Sequence, residues 1–449
     1  MTSKFLIKNV TIVNEGQRFT SDILFYESFI QKIGNIKAAP GFTVIDGTGK
    51  YLLPGIIDGQ VHFREPGLTH KGDLYSETKA AIAGGVTSFI DMPNTIPNVL
   101  TVEILAEKYA LASKKSLANY SFFLGVNGDN IDEIIKTDTS RLIGVSDDGL
   151  YFTKKGNLLA DNPATMEKLF ANCKSIIAIH SEKEQLIEEN ENTYREKYGE
   201  NVPIEFHPLI RSERACFEAT KQAIDFANKY KARLHILHLT TEAETYLFQN
   251  DIPLKEKNIT AEVSVHHLWF SDKDYQRLGK LIKWNPAIKT EQDKKGLLKA
   301  LLDDRIDIVT TDHAPHTLDE KQQPYFQSMS GAPMVQHSVN CMLEFFKQGF
   351  ISLEKIVEKM CHNPAILYRI EKRGFIREGY YADLTLVNLN STWTVTKENI
   401  LYKCGWSPLE GTTFTTKVIK TFVNGNLVYD KGAFNESIKG MVLQVNNLD

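Results

Sequence analysis

The middle of the chain alternates short apolar runs with longer segments of helical pattern. The clearest apolar runs lie at residues 88–91, 175–179, 234–237 and 307–309. Neighbouring parallel strands need a crossover connection, which is usually a helix. Because the alternation lasts for about 320 residues, it predicts an α/β protein whose residues 55–375 form a (β/α)8 TIM-type barrel.

Both ends of the chain have the pattern of short β-strands instead. Apolar side chains alternate along residues 5–13 before a turn at residues 14–16, and residues 418–423 run into the turn signal Asn424-Gly425. We expect the two ends to pair into one small β-sandwich domain. The predicted division is residues 1–54 for the first part of that domain, 55–375 for the barrel and 376–449 for the second part.

The charge balance excludes several classes of function. The 449 residues include 52 basic and 56 acidic side chains, a net charge of −4, and the basic residues do not cluster. A nucleic-acid-binding protein needs a basic cluster to pair with phosphates. No apolar run reaches the roughly 18 residues of a membrane span, and Lys4 and Lys8 interrupt the N-terminal apolar residues. We therefore predict a cytoplasmic protein that binds neither nucleic acid nor membrane.

The cysteines point to the kind of metal ligand this chain could use. Their odd number and wide spacing suit reduced, buried thiols better than disulfides or a Cys-based zinc cluster. A metal site would then depend on histidine and carboxylate side chains. The five cysteines are Cys173, Cys216, Cys341, Cys361 and Cys404.

Polar residues that directly follow the predicted strands are the first candidates for a functional site, because the C-terminal strand ends of a barrel meet at one mouth. Gln60, His62 and Arg64 alternate with apolar neighbours and would share one face of a strand. Later strand ends carry Asn94, His180, His238 and Asp312-His-Ala-Pro-His316. Three histidines with one or two aspartates on separate strands suit Zn²⁺ or a similar ion.

Each of these residues also has a structural interpretation. A single histidine after a strand is more often a hydrogen-bonded structural residue than a ligand, and an Asp-His pair can cap the next helix. The coincidence of four such features at successive strand ends favours a metal site. The histidines without that placement are predicted to be structural, namely His70, His207, His266, His267, His337 and His362.

Longer motifs stand at the same strand ends. The segments Asp58-Gly-Gln-Val-His-Phe-Arg-Glu-Pro-Gly67 and Thr311-Asp-His-Ala-Pro-His316 are long and specific, whereas the His-x-x-His of residues 235–238 is weak by itself. Together they resemble the dihydroorotase family of the amidohydrolase superfamily, in particular its bacterial class I members. Shorter matches to this family lie at residues 84–87, 91–95, 146–149, 178–182, 265–268, 284–287 and 379–384.

The resemblance implies a role for each matching residue. It assigns one or two zinc ions to His62, Asp148, His180, His238 and Asp312. It assigns the substrate to Arg64, Asn94, Asn285 and His316, and it places the backbone near Met334 against a pyrimidine ring. A guanidinium suits the carboxylate of dihydroorotate, and the two amides supply donors and acceptors. Arg64 could instead pair with Glu65 or another nearby acid.

The chain departs from the family pattern at two points. The first metal motif is normally His-x-His, and Gln60 stands at its first position. A glutamine oxygen is a poorer zinc donor than an imidazole, so we expect one ion to be looser, or absent. No lysine matches the one that many superfamily members carboxylate to bridge two metals. Asp148 could supply that bridge, although Asp147-Asp148-Gly149 could equally be an ordinary turn.

The implied reaction is the reversible cyclisation of N-carbamoyl-L-aspartate to L-dihydroorotate in pyrimidine biosynthesis, with Asp312 as the catalytic residue that moves the proton. One alternative is another cyclic amidohydrolase, such as a hydantoinase, dihydropyrimidinase or allantoinase, whose neutral substrates do not need Arg64. A second alternative is a catalytically silent scaffold for aspartate transcarbamoylase. The glutamine at residue 60 is the feature that favours this hypothesis.

The assembly and the loops are less constrained by the sequence. A homodimer is the default for a large cytoplasmic enzyme, and association with aspartate transcarbamoylase is a further expectation. The polar stretch at residues 317–331 is either a lid over the barrel mouth or a passive surface loop.

Overall fold

The computed structural model describes residues 4–150 and 158–446, so the predicted domain ends at residues 1–3 and 447–449 lie outside it. β1 and β2 form a hairpin whose turn residues Glu15 and Gly16 have φ angles of 49° and 73°. A tight two-residue hairpin turn requires such left-handed values, so the expected turn is present. The N-terminal strands are β1 (Lys4–Asn14), β2 (Gln17–Tyr26), β3 (Phe29–Gly34), β4 (Phe42–Asp46) and β5 (Tyr51–Pro54).

The next nine strands form the barrel, and every pairing among them is parallel. They are β6 (Ile56–Val61), β7 (Val86–Asp91), β8 (Asn119–Phe122), β9 (Leu124–Gly125), β10 (Val145–Ser146), β11 (Ile177–Ile179), β12 (Leu234–Ile236), β13 (Ile259–Ser264) and β14 (Ile308–Thr310). β8 and β9 are one strand interrupted at Phe123, which gives eight positions. The ring closes where the His62 N–H donates to the His313 carbonyl at 2.8 Å. The predicted (β/α)8 barrel is confirmed.

Helices connect these strands, and several of them bury one face against the barrel. In the helix at Glu291–Leu302, which precedes β14, a capping box of Thr290 and Asp293 fixes the start, and Leu297 and Leu301 are buried. The helices are α1 (Leu74–Ala83), α2 (Val102–Lys115), α3 (Ile131–Lys136), α4 (Pro163–Asn172), α5 (Glu184–Tyr198), α6 (His207–Ile210), α7 (Glu213–Tyr230), α8 (Glu242–Thr245), α9 (Val265–Trp269), α10 (Tyr275–Leu278), α11 (Glu291–Leu302), α12 (Leu318–Gln322), α13 (Ser338–Lys347), α14 (Leu353–Val357) and α15 (Asn363–Leu367). Among the described residues, no helix is both long and apolar enough to cross a membrane.

The C-terminal strands complete the sheet that the N-terminal strands begin. They are β15 (Leu384–Asn388), β16 (Trp393–Thr394), β17 (Thr413–Phe414), β18 (Lys417–Val423), β19 (Asn426–Asp430) and β20 (Ala433–Phe434). The order of the mixed sheet is β20-β19-β18-β15-β5-β1-β2-β3, with β4 on β1, while β16 and β17 pair separately. β5 and β15 join the two chain ends, since Leu53 lies opposite Thr385.

This sheet folds back on itself to enclose its own core. β2 and β18 are four strand positions apart, which is roughly 19 Å in a flat sheet. The ring centroids of Phe25 on β2 and Phe422 on β18 are nevertheless only 5.0 Å apart, and Phe5 contacts both rings. The predicted β-sandwich domain built from both chain ends is therefore confirmed.

After β20 the chain returns to the barrel beside the start of β8. The Gly440 N–H donates to the Ser116 carbonyl at 2.9 Å, and the Tyr120 N–H donates to the Met441 carbonyl at 3.0 Å. Leu443 is buried in an apolar cluster with barrel residues, including Ile57. The last described residues thus pack against the barrel rather than the β-sheet.

Candidate active site

The five predicted metal ligands all lie one or two residues beyond the end of a barrel strand. Each is at most 5% exposed, so the strand ends bring them into one buried group. The backbone leaves the strands sharply at this point, because His238 and Asp312 have φ angles of 36° and 44°. Such left-handed values are strained for side chains of this size, and this kind of strain concentrates at functional sites. The five residues are His62 after β6, Asp148 after β10, His180 after β11, His238 after β12 and Asp312 after β14.

Within the described residues, these side chains make two groups that could each hold a metal ion, and both include Asp148. In the first group, His180 Nδ1 lies 3.1 Å from His238 Nε2 and 3.5 Å from Asp148 Oδ1. In the second, His62 Nε2 lies 3.2 Å from Asp148 Oδ2 and 3.0 Å from Asp312 Oδ1. Imidazole nitrogens and carboxylate oxygens at these separations fit a small divalent cation such as zinc.

The charges of the site depend on Asp148. The surrounding imidazoles overcome the effect of burial and hold the pKa of Asp148 well below its usual range. Burial favours the neutral form of His62, but Asp148 and Asp312 outweigh it and raise the pKa of His62 to about 10. Burial raises the pKa of Asp312. The negative charge of Asp148, which belongs to both ligand groups, therefore favours a cation at either group.

Outer contacts fix which ring nitrogen of His62 and which of His180 face the site. The Asn94 Oδ1 atom lies 2.8 Å from His62 Nδ1, and Glu182 Oε2 lies 2.8 Å from His180 Nε2. Each partner can accept the N–H of the ring nitrogen that points away from Asp148. Glu182 was not predicted to belong to the site, although its position two residues after His180 was a usable signal.

The three residues of the second ligand group line a small cleft. Three of the predicted substrate residues line it: Arg64, Asn94 and Asn285. The buried Asn285 Oδ1 has no hydrogen-bond partner among the described residues. Trp284, Ser330 and Gly331 also line the cleft and were not predicted to do so.

Arg64 is held from behind by the segment that follows Asp312. Its Nε donates to the Pro315 carbonyl at 3.1 Å, and its Nη2 lies 3.0 Å from His316 Nε2. Burial and the neighbouring cations, Arg64 first, keep the pKa of His316 well below its usual range, so this ring accepts from Arg64. His316 is therefore placed behind the guanidinium and does not line the cleft.

Met334 is fully buried and also stays outside the cleft lining. Its N–H donates to His313 Nδ1 at 3.0 Å, and its carbonyl accepts the His337 N–H. Both backbone groups of Met334 thus have partners within the protein. None of the six histidines predicted to be structural belongs to either ligand group in the part of the chain that the structure describes.

The stretch at residues 317–331 forms one wall of the cleft and is tied down by two lysines. The buried Lys321 Nζ donates to the carbonyls of Met329 and Gly331 at 3.0 and 2.8 Å. The Lys283 Nζ donates to the carbonyls of Tyr325 and Ser328 at 2.7 and 2.6 Å. The Lys321 bonds join two parts of the stretch to each other, and the Lys283 bonds attach the stretch to the segment that precedes Trp284.

Comparison with known proteins agrees with this geometry. Residues 51–428 match the model of the amidohydrolase family. The chain therefore belongs to the amidohydrolase family, a class of enzymes that act on small molecules and typically depend on a metal. Within it, the chain is 34% identical over 384 residues to a protein from Pyrococcus abyssi named dihydroorotase, covering 85% of this chain and 84% of the relative. It is 31% identical to the dihydroorotase of Methanosarcina acetivorans, covering 90% and 88%.

Solved structures confirm the fold. The L-hydantoinase of Arthrobacter aurescens superimposes with a TM-score of 0.88 at 23% identity, covering 97% of this chain and 98% of that one. The dihydropyrimidinase of Brevibacillus agri gives a TM-score of 0.86 at 21% identity, covering 99% and 100%. At these identities the likeness extends to the fold alone.

Proposed function

We propose that this chain is a zinc-dependent dihydroorotase, which reversibly cyclises N-carbamoyl-L-aspartate to L-dihydroorotate. The observation that carries the proposal is the buried guanidinium of Arg64 in the cleft that His62, Asp148 and Asp312 line. A substrate with a carboxylate needs such a cation, whereas a neutral cyclic amide would leave it buried and unpaired. The relatives named dihydroorotase support the same substrate.

His62, Asp148, His180, His238 and Asp312 would hold the zinc. When bound, zinc supplies a strong positive charge that lowers the pKa of a water molecule and polarises a carbonyl group. Imidazole and carboxylate side chains are ligands that zinc prefers.

Asp312 is the proposed proton carrier. Hydrolysis of the ring amide requires a group that takes a proton from the attacking water and gives it to the departing nitrogen. Burial raises the pKa of Asp312, which brings the carboxyl group closer to a balance between taking and releasing a proton. Its contact with His62 at 3.0 Å holds the carboxyl at the edge of the cleft.

The cleft residues would orient the substrate. Arg64 has its Nε and Nη2 engaged by Pro315 and His316, and Nη1 has no hydrogen-bond partner among the described residues, so it can face a substrate carboxylate. The amides of Asn94 and Asn285 would bind the ring. His316 would act by orienting Arg64, and we keep the Met334 backbone as a proposed neighbour of the ring.

Hydrolysis assays with elemental analysis test this function. The purified protein should contain one or two zinc ions per chain and hydrolyse dihydroorotate, lose this activity on chelation and regain it when zinc returns. Hydantoin and dihydrouracil should be poor substrates. Asp312→Ala should abolish turnover, and near-normal activity in that variant would contradict the proton-carrier role. A protein with neither metal nor turnover would instead fit a scaffold for aspartate transcarbamoylase, for which gel filtration with that enzyme is the direct assay.

We also propose a homodimer located in the cytoplasm, with an association with aspartate transcarbamoylase as a further candidate interaction. The proposed domain division remains residues 1–54, 55–375 and 376–449.

A further inference from the structure

The side chain of Gln60, at the end of β6, is fully buried against the ligand groups. Its Nε2 donates to Asp148 Oδ2 at 2.9 Å, while its buried Oε1 has no hydrogen-bond partner among the described residues. The bond to a carboxylate is charge-assisted, and this kind is stronger than a bond between neutral groups. Gln60 therefore binds the carboxylate that both ligand groups share.

The two oxygens of Asp148 serve different ligand groups. Oδ1 lies 3.5 Å from His180 Nδ1 and 3.8 Å from His238 Nε2. Oδ2 faces the other way, 3.2 Å from His62 Nε2 and 2.9 Å from Gln60 Nε2. The glutamine amide thus donates to the same carboxylate oxygen that faces His62.

The first ligand group already has the spacing of a zinc site. Zinc–nitrogen bonds of about 2.0–2.1 Å in a tetrahedral arrangement place ligand atoms roughly 3.3 Å apart. The three separations among Asp148, His180 and His238 are 3.1, 3.5 and 3.8 Å. Two imidazoles and one carboxylate can close on an ion there with small adjustments, and in the described part of the chain the Gln60 side chain bonds to Asp148 and not to either histidine of this group.

At the second group, the Gln60 amide directs towards Asp148 an N–H group, which cannot ligate an ion. Gln60 would have to rotate its amide to present Oε1, and the Nε2–H bond to Asp148 would be lost. Without that rotation, the amide N–H group competes with the ion for Asp148 Oδ2. An imidazole at residue 60 would offer a nitrogen donor instead.

We propose that the chain holds metal ions at two unequal positions: a tight one formed by Asp148, His180 and His238, and a weak one formed by His62, Asp148 and Asp312 that the Gln60 amide opposes. One zinc per chain is then bound tightly. The inference rests on the proposed function only in taking zinc as the ion.

Zinc titration of the metal-free protein against a chromophoric chelator tests the inequality. The wild type should bind one ion tightly and a second at least about 100-fold more weakly. Gln60→Met, which is similar in size but lacks the amide, should tighten the second ion at least about tenfold, because a hydrogen bond to a charged group is lost from the competing state. Gln60→His should tighten it further. The first affinity should stay within about twofold in both variants.

Gln336→Met is the matched control, because Gln336 is a buried glutamine whose amide bonds to Asn399 and Leu401. It should leave both zinc affinities unchanged, and thermal unfolding should show that all variants are folded. The inference would be overturned if the wild type bound two zinc ions with similar affinity. It would also be overturned if the affinity for the second ion were unchanged in Gln60→Met and Gln60→His. The zinc titration uses no substrate, so its result does not depend on activity. A wild type that binds one ion tightly but does not hydrolyse dihydroorotate would contradict the proposed function alone.

Discussion

Glu182 offers a quantitative test of how outer contacts hold the tight ligand group. Its carboxylate is fully buried, lies 2.8 Å from His180 Nε2 and pairs with Arg211. Glu182→Gln keeps the size of the side chain but replaces the charged acceptor with a neutral one. Hydrogen bonds to charged groups contribute about 1.5–3 kcal/mol and neutral ones about 1 kcal/mol, so the change removes about 1 kcal/mol or more. Changes to the partner of a metal-binding histidine typically weaken metal binding about 10–100-fold.

We therefore expect the dissociation constant of the tightly held zinc to rise about tenfold in Glu182→Gln, at the lower end of that range. Competition with a chromophoric chelator at fixed pH measures it directly. Glu344→Gln is a suitable control, because this buried carboxylate accepts the N–H groups of Thr415 and Thr416, away from the site. If folded Glu182→Gln binds zinc as tightly as the wild type, the carboxylate does not orient His180.

Three further changes test other parts of the structure. Arg64→Met should raise KM for dihydroorotate about 10–100-fold, because a charged hydrogen bond to the substrate carboxylate is lost, and unchanged steady-state kinetics would contradict that contact. Lys321→Met should lower the free energy of unfolding by about 1–3 kcal/mol, measured by denaturant titration, because buried carbonyls of the cleft wall lose their donor. Gly440→Ala should cost a similar amount of about 1–3 kcal/mol, since a Cβ there would lie 1.8 Å from the Ala118 carbonyl oxygen. A variant as stable as the wild type would show that the chain end packs loosely.

The barrel and the ligand positions could be predicted because they follow from local patterns. Apolar runs identify the strands, and one geometric rule places the residues after them at a common mouth. His62, His180 and Asp312 were therefore expected together before any contact was known. The hairpin turn at residues 14–16 and the pairing of the chain ends follow from similarly local signals.

The remaining features depend on partners that no local pattern specifies. His316 was expected to contact substrate, and the structure places its Nε2 3.0 Å from Arg64 Nη2, outside the cleft lining. The bond between Gln60 and Asp148 joins residues 88 positions apart in sequence. The Gln60 amide could face Asp148 with either its nitrogen or its oxygen. Hydrophobic periodicity does not predict which of the two atoms does so. The packing of Leu443 against the barrel could not be predicted either, because a short apolar segment can pack against many surfaces.

The pairing of β5 with β15 has a consequence for how the protein is made. Leu53 and Thr385 are neighbours in the sheet but lie roughly 330 residues apart in the chain, a separation that slows folding. At synthesis rates of about 5–20 residues per second, the ribosome needs roughly 20–60 s to make the strand that covers this edge. During that interval the new chain presents an unpaired, apolar strand edge, which is a template for aggregation. Truncated products that stop before β15 would keep that edge open permanently.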